Sequence, residues 1–235
     1  MTAKRDAEGG DRTIYLLRHG ELLQPSGGKH YIGHSDLALS PVGMHQARQW
    51  QAFFSEAGLS DVFCSDLQRS VQTAKIIAEG HRLEVIALPE LREVDLGAWE
   101  GLAFETVRAT DPRAYANRGM DPAGYRPPSG ESFADLQSRV MPAFERIATQ
   151  CTGNPLIVAH AGVNRVILCH LLGMPLNHLF RIGQDPAGLN IIEARAGGFR
   201  VRAVNLPVAW RLPGGESRRL NQLILTREPF PLTES

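Results

Sequence analysis

The chain has 235 residues, of which 43% are hydrophobic and 21% charged, a balance that excludes disordered, collagenous and coiled-coil proteins. Its 25 Lys and Arg residues are matched by 25 Asp and Glu residues, so no global field draws it to nucleic acid or an anionic membrane, and any anion has to be held locally. This length sets the expectation of one large domain or of one domain with an elaboration.

Residues 1–12 are polar and charged, lack the apolar stretch of a secretory signal, and read as a flexible leader. The first apolar run, Ile14 to Leu17, is a buried strand followed by a long loop. From Pro41 a helix is expected to about Ala57, with Ser40 as N-cap and Gly58 past its end. Val62 to Cys64 is a second strand leading into a helix near Asp66, and Val85 to Leu88 is a third strand.

Residues 103–130 break the rhythm with four prolines and read as a cap insertion on the surface. After it, Ser132 and Asp135 form a helix-start pattern, and Phe133, Leu136, Val140, Phe144 and Ile147 lie on one apolar stripe. Leu156 to Ala159 is a strand and Gly162 to Leu172 a helix; two more strands are expected around Asn190 to Ala194 and Phe199 to Asn205. The domain is thus placed at 13–206 and a tail at 207–235, whose cluster of Leu220, Leu223, Ile224 and Leu225 is expected to dock on the same chain or a second subunit. Alternating strands and helices imply a three-layer α/β/α sandwich with a mostly parallel central sheet.

No window reaches the ~18 consecutive apolar residues of a membrane span. The three cysteines, Cys64, Cys151 and Cys169, contain no C-x-x-C pair, which points to a reducing, cytoplasmic setting.

The chemistry gathers at strand ends. Leu16-Leu17-Arg18-His19-Gly20-Glu21 carries a strand into an arginine, a histidine and a glycine, and ligands of open α/β sheets bind beyond the carboxyl ends of strands. A neutral imidazole is a nucleophile, and a guanidinium can hold two phosphoryl oxygens in a fork. The second strand leads through Ser65-Asp66-Leu67-Gln68-Arg69, with Arg69 near a helix N-terminus that favours anions. Glu93, Asp95 and Glu100 lie within eight positions, each a possible general acid. Ala159-His160-Ala161-Gly162 repeats the strand-end histidine. Two histidines and two arginines at strand ends compose an anion site that none would establish alone.

Other signals carry less. Gly27-Gly28-Lys29 is not a Walker loop, since Leu23 and His30 stand where Gly and Ser or Thr are required. His30 and His34, four apart around Gly33, read as loop residues and not as metal ligands; His45, His81, His170 and His178 read as surface or packing residues.

In these segments, and in their order, the chain resembles the histidine phosphatase superfamily, in the branch that includes cofactor-dependent phosphoglycerate mutase. The likeness rests on Arg18-His19-Gly20-Glu21, the run from Cys64 to Ala74, the stretch from Glu93 to Gly101, and Ala159-His160-Ala161-Gly162. It implies that His19 becomes phosphorylated, that Arg18, Arg69 and His160 surround the phosphoryl group, that Glu93 protonates the leaving oxygen, and that neither metal nor cofactor is needed. The other His19 ring nitrogen must then donate to a fixed acceptor, expected to be a backbone carbonyl.

The mutases follow their signature with Trp-Asn, where this chain has Leu22-Leu23. Ser35, or backbone N–H groups around Gly20, is the expected replacement for that phosphate-holding Asn, and hydrolysis is expected rather than transfer. The Gly-rich loop before Tyr31, the Pro128 to Ser132 segment and Gln184 through Asn190 resemble α-ribazole-5′-phosphate phosphatases. Ala161 and the cap residues Arg113 and Tyr115 join the expected substrate-binding set; Arg118, Arg126 and Tyr125 belong to the same insertion, which is either a lid over the leaving group or a solvated elaboration. The expected activity is that of a phosphomonoesterase on a small phosphate ester, with no nucleic-acid or membrane partner, as a monomer or homodimer. Mutase-type transfer and a non-catalytic phospho-ligand binding module are the alternatives.

Overall fold

The computed structural model describes residues 12–23 and 28–208. Most of the leader and all but the first two residues of the tail, with its apolar cluster, lie outside these. Strands β1 (Arg12–Arg18), β2 (Leu59–Cys64), β3 (Val85–Ala87), β4 (Asn154–Ala159), β5 (Leu189–Arg195) and β6 (Gly198–Leu206) form one sheet in the order β3-β2-β4-β1-β5-β6. The first four are parallel, whereas β5 runs antiparallel to both β1 and β6.

Side-chain alternation along the central strands divides the core into two layers. Tyr15 and Leu17 of β1 and Leu156 and Val158 of β4 pack beneath helices α1 (Pro41–Phe54) and α2 (Gln68–Glu79), with Trp50, Phe54 and Ile77. Ile14, Leu16, Ile157 and Ala159 face the opposite way, into helices α5 (Phe133–Gln150) and α6 (Ala161–Leu171). The central strands are apolar on both faces because both faces are covered.

Local signals set the helix boundaries. Ser40 caps α1 by accepting from the Gly43 N–H at 3.0 Å, and Pro41 opens it without needing a donor. The helix ends at Phe54, three residues before the expected Ala57, and the chain turns at Gly58 with φ +60°. Ser132 and Asp135 form a reciprocal capping box at the head of α5, whose five stripe residues are all buried. Pro142 lies inside this helix without ending it. The cap contains α3 (Phe104–Thr110) and α4 (Pro112–Met120). Among the described residues, no helix is long and apolar enough to cross a membrane.

Register decides where the chemistry meets. Leu16 pairs with Ile157 and Arg18 with Ala159, while Cys64 pairs with Val158, so β1, β2 and β4 end side by side at one edge. The chain just beyond them stays in step, with the His19 N–H donating to the Ala159 carbonyl and the Ser65 N–H to the Val158 carbonyl, each at 3.0 Å.

Candidate active site

His19 and His160, 141 residues apart in the chain, meet at this edge with ring centroids 5.1 Å apart. Both are buried. His19 Nδ1 donates to the carbonyl of Gly20 at 2.7 Å, so its Nε2 carries the lone pair, and that atom makes no hydrogen bond to any described residue. The acceptor is the backbone carbonyl of the very next residue. Gly20 permits this turn because a side chain there would run into α1: its Cβ would lie 2.6 Å from the Gly43 carbonyl oxygen.

Two guanidiniums frame the pair. Arg69, one residue into α2 and almost wholly buried, donates through Nε to His160 Nδ1 at 3.2 Å, and through Nη1 and Nη2 to the carbonyls of Ser35 and Gly33 at 2.7 and 2.6 Å. His160 therefore holds its proton on Nε2, 3.4 Å from Ser70 Oγ. Arg18 donates through Nη1 to the Gln184 carbonyl at 2.6 Å, while its buried Nε has no hydrogen-bond partner among the described residues. Behind it the buried amides of Gln184 and Asn190 are joined at 2.8 Å, and Asn190 donates to the Leu16 carbonyl.

Burial pushes the His19 imidazole well below its ordinary 6.5, and the charges of Arg18 and Arg69 push it the same way, against the pull of the Gly20 carbonyl. His160 is lowered by burial and by Arg69, His19 and Arg18. Both rings are therefore neutral at pH 7.

Glu93 approaches from the segment after β3. One carboxylate oxygen accepts from the N–H of Gly162 at 2.9 Å, at the start of α6, and the other from the N–H of Val94 at 2.9 Å. A buried donor of the first turn of α6 and a favourable helix dipole thus hold the Glu93 carboxyl group in place. Gly162 leaves the room for it, since a Cβ there would lie 2.2 Å from the Glu93 carboxylate. Glu93 lines a pocket of about 410 Å³ with Arg18, Ala161 and Gly162, walled by Tyr31, Phe104 and other aromatic rings.

The two competing carboxylates are committed elsewhere. Glu100 accepts from the N–H groups of Gly33, His34, Ser35 and Leu96 and from Ser35 Oγ, and Asp95 accepts from the Gly97 N–H. Neither lines the pocket.

The expectations for Ser35 and Arg113 need correction. The Ser35 hydroxyl donates to Glu100 at 2.6 Å and its carbonyl holds Arg69, so the residue positions a cation and does not offer its hydroxyl to phosphate. Of the two cap residues, Tyr115 lines the pocket, but Arg113 is exposed and stands outside it. Helical geometry is the reason: positions 115 and 118 of α4 share a face, whereas 113 lies well around the cylinder from 118, so Arg118 is the cap cation that reaches the pocket.

Sequence reading also missed Arg165 of α6, which lines the pocket, and Arg139 of α5. Arg139 is ion-paired with Glu131 at 2.7 Å and donates to the carbonyls of Glu90, Arg92 and Glu93, bracing the segment that carries Glu93. Arg165 follows Ala161 by four positions in α6, a one-turn spacing that carries a signal; Arg139 looks like any polar position on an amphipathic helix.

Known proteins similar to this chain include the following. A bifunctional protein of Mycobacterium tuberculosis, Rv2228c, is 34% identical over 202 residues, covering 85% of this chain; the chain spans 55%, about half, of that relative's length. The adenosylcobalamin/alpha-ribazole phosphatase of Salmonella typhimurium is 30% identical over 199 residues, covering 84% of this chain and 98% of the relative. The crystal structure of the alpha-ribazole phosphatase from Shigella flexneri superposes with a TM-score of 0.76 at 27% identity, covering 86% of this chain and all of that one. The family model for the histidine phosphatase superfamily (branch 1) matches residues 14–207, a span that includes both strand-end histidines, and the chain belongs to that superfamily.

Proposed function

We propose that the protein is a phosphomonoesterase that works through a phosphohistidine on His19. The observation that carries this reading is the state of that ring: Nδ1 tied to the Gly20 carbonyl, Nε2 uncommitted, and a neutral imidazole between two guanidiniums. Nε2 attacks phosphorus and the P–O bond to the alcohol breaks. Glu93 gives its proton to the departing oxygen, then takes one from the water that attacks the phosphohistidine, releasing inorganic phosphate and free His19. Charge spreading over the transferring oxygens is met by Arg18, whose buried Nε has no partner among the described residues, by Arg69 and by the Nε2–H of His160. Nothing in this sequence of steps asks for a metal or a cofactor.

The substrate is a small phosphate ester. The names of the Salmonella and Shigella relatives put α-ribazole 5′-phosphate on the panel, and phosphoryl transfer between phosphoglycerate positions is the second reading, favoured by 36% identity over 165 residues with a probable phosphoglycerate mutase of Proteus mirabilis. Three buried free thiols fit a reducing cytoplasm, with the enzyme working as a monomer or homodimer.

Phosphate release from aryl, ribazole, sugar and glycerate phosphates by wild type, His19→Ala and Glu93→Gln tests the reading. His19→Ala should abolish release, and Glu93→Gln should slow alkyl esters far more than p-nitrophenyl phosphate, whose leaving group needs no proton. Turnover that survives His19→Ala would overturn the mechanism. A protein that binds these esters without releasing phosphate from any of them would be a binding module or, if it exchanges 2- and 3-phosphoglycerate, a mutase.

A further inference from the structure

We infer that Arg118 and Arg165 form a clamp for a second negative charge, so that the substrate is a monoester whose alcohol half itself carries a carboxylate or another phosphate. The inference rests on the hydrolytic reading above and narrows its substrate class.

Both arginines line the pocket that opens beside Arg18 and Glu93, one from the cap and one from α6. The guanidinium carbon of Arg118 lies 5.7 Å from the ring centroids of Tyr31 and Trp99 and 5.5 Å from that of Phe133. These rings hold the group in place by its charge but accept no in-plane hydrogen bond from it. Among the described residues, Arg118 forms no salt bridge and finds no acceptor for its N–H donors; Glu93, across the pocket, is the carboxylate that acts on it at a distance. Arg165 lies 5.5 Å over the Phe180 ring and spends Nε on the Ile182 carbonyl at 2.9 Å, and among the described residues it forms no salt bridge, with Glu93 and Asp185 acting on it only at a distance.

The charge in the pocket is therefore uneven. Glu93 is the carboxylate in its wall, and both of its oxygens already accept backbone N–H groups. The phosphoryl group engages Arg18 and Arg69 at the sheet edge, which leaves two guanidiniums on the alcohol side of the scissile bond. Within aromatic walls such a pair is poorly screened, and a guanidinium fork matches the oxygens of a carboxylate or phosphate. An alcohol half without charge would dehydrate both cations and return nothing, so the same residues select against neutral esters. A ribazole ester, neutral in its alcohol half, accordingly ranks below an anionic one.

Two esters that differ only at this point decide the matter: 3-phosphoglycerate, with a carboxylate, and glycerol 3-phosphate, with a hydroxymethyl group in its place. Wild type should favour the first in kcat/KM by about tenfold or more, and Arg118→Met and Arg165→Met should each erase most of that ratio, the loss expected for one charge-assisted hydrogen bond. A residue that only supports the cap would lower both esters alike and leave the ratio standing. A wild-type ratio near one, or Met variants that keep the ratio, would overturn the clamp. Should Arg118→Met fail to fold, judged by its melting transition, Arg118→Lys and Arg165→Met read the same ratio. If no ester, p-nitrophenyl phosphate included, releases phosphate, the hydrolytic reading has failed on its own; calorimetric binding of the two glycerol-based esters to wild type and variants then reads the clamp, with equal affinities counting against it.

Discussion

His19 and His160 sit in the same charged enclosure with opposite tautomers. His19 puts its proton on Nδ1 because the adjacent carbonyl accepts it, and His160 puts its own on Nε2 because Arg69 donates to its Nδ1. One ring is left with an uncommitted lone pair on Nε2 and the other with an N–H there. Folding lowers the pKa of both, chiefly through burial and with the arginines adding to it. Below pH 6.5 the unfolded chain therefore takes up protons that the native protein refuses, and stability falls with acid. The melting temperature should drop between pH 7.5 and pH 5, and the drop should be shallower in His160→Gln, which removes one of the two groups; an unchanged slope in that variant would refute the account. Arg18, His19 and His160 were legible in the sequence as polar residues ending apolar strands. The tautomers were not, because they depend on a carbonyl direction and on an arginine brought 91 positions along the chain to His160.

At the scale of the element, the loop at Gly33–Ser35 holds Arg69 from above, and Glu100 holds the loop. Its carboxylate accepts five hydrogen bonds, from four backbone N–H groups and the Ser35 hydroxyl. Burial works to raise its pKa, and the bonds from Ser35, His34 and Leu96 override this and hold it below the ordinary carboxylate value. Gly33 is required at the knot, since a Cβ would lie 2.2 Å from the Val94 carbonyl and 2.3 Å from Glu100 itself. Glu100→Gln replaces one acceptor oxygen with a donor facing donors and should cost about 2 kcal/mol in urea unfolding. Phosphate release should fall with it, because the carbonyls that aim Arg69 are released; full activity with a loosened fold would separate the knot from the site. Glu100 and Glu93 stand seven residues apart in one acidic stretch, and spacing alone left both as acids. Only the partners distinguish them, five donors around one and an open pocket wall beside the other.

In the whole molecule the site occupies one end of the sheet and much of the stability comes from elsewhere. Phe144 of α5 is fully buried and its ring lies 5.5 Å from that of Phe199, at the start of β6. That corner is far from the chemistry: Phe199 pairs with Ala194 and Ala194 with Arg12, the opposite end of β1 from His19. Phe144→Ala should destabilise by about 3–5 kcal/mol, the usual cost of emptying an aromatic core position, while phosphate release per folded molecule stays close to wild type. Chemical denaturation with activity normalised to folded protein checks both halves, and a loss of specific activity would show that the α5 layer couples to the site.

Local sequence was enough to determine the strands, the two capped helices α1 and α5 and the layered fold, because apolar periodicity and side-chain caps act within a few residues of their cause. The same local reading placed both histidines and Arg18 at strand ends, where parallel strands deliver polar groups to a common edge, and Arg69 near the helix start that follows β2. Which carboxylate faces the pocket, what Ser35 bonds to, and that Arg118 and Arg165 line the pocket while Arg113 does not were decided by tertiary structure. Those outcomes depend on which distant donors, rings and carbonyls surround a side chain, and that neighbourhood exists only once the sheet has brought β1, β2 and β4 into register and the cap has closed over their ends.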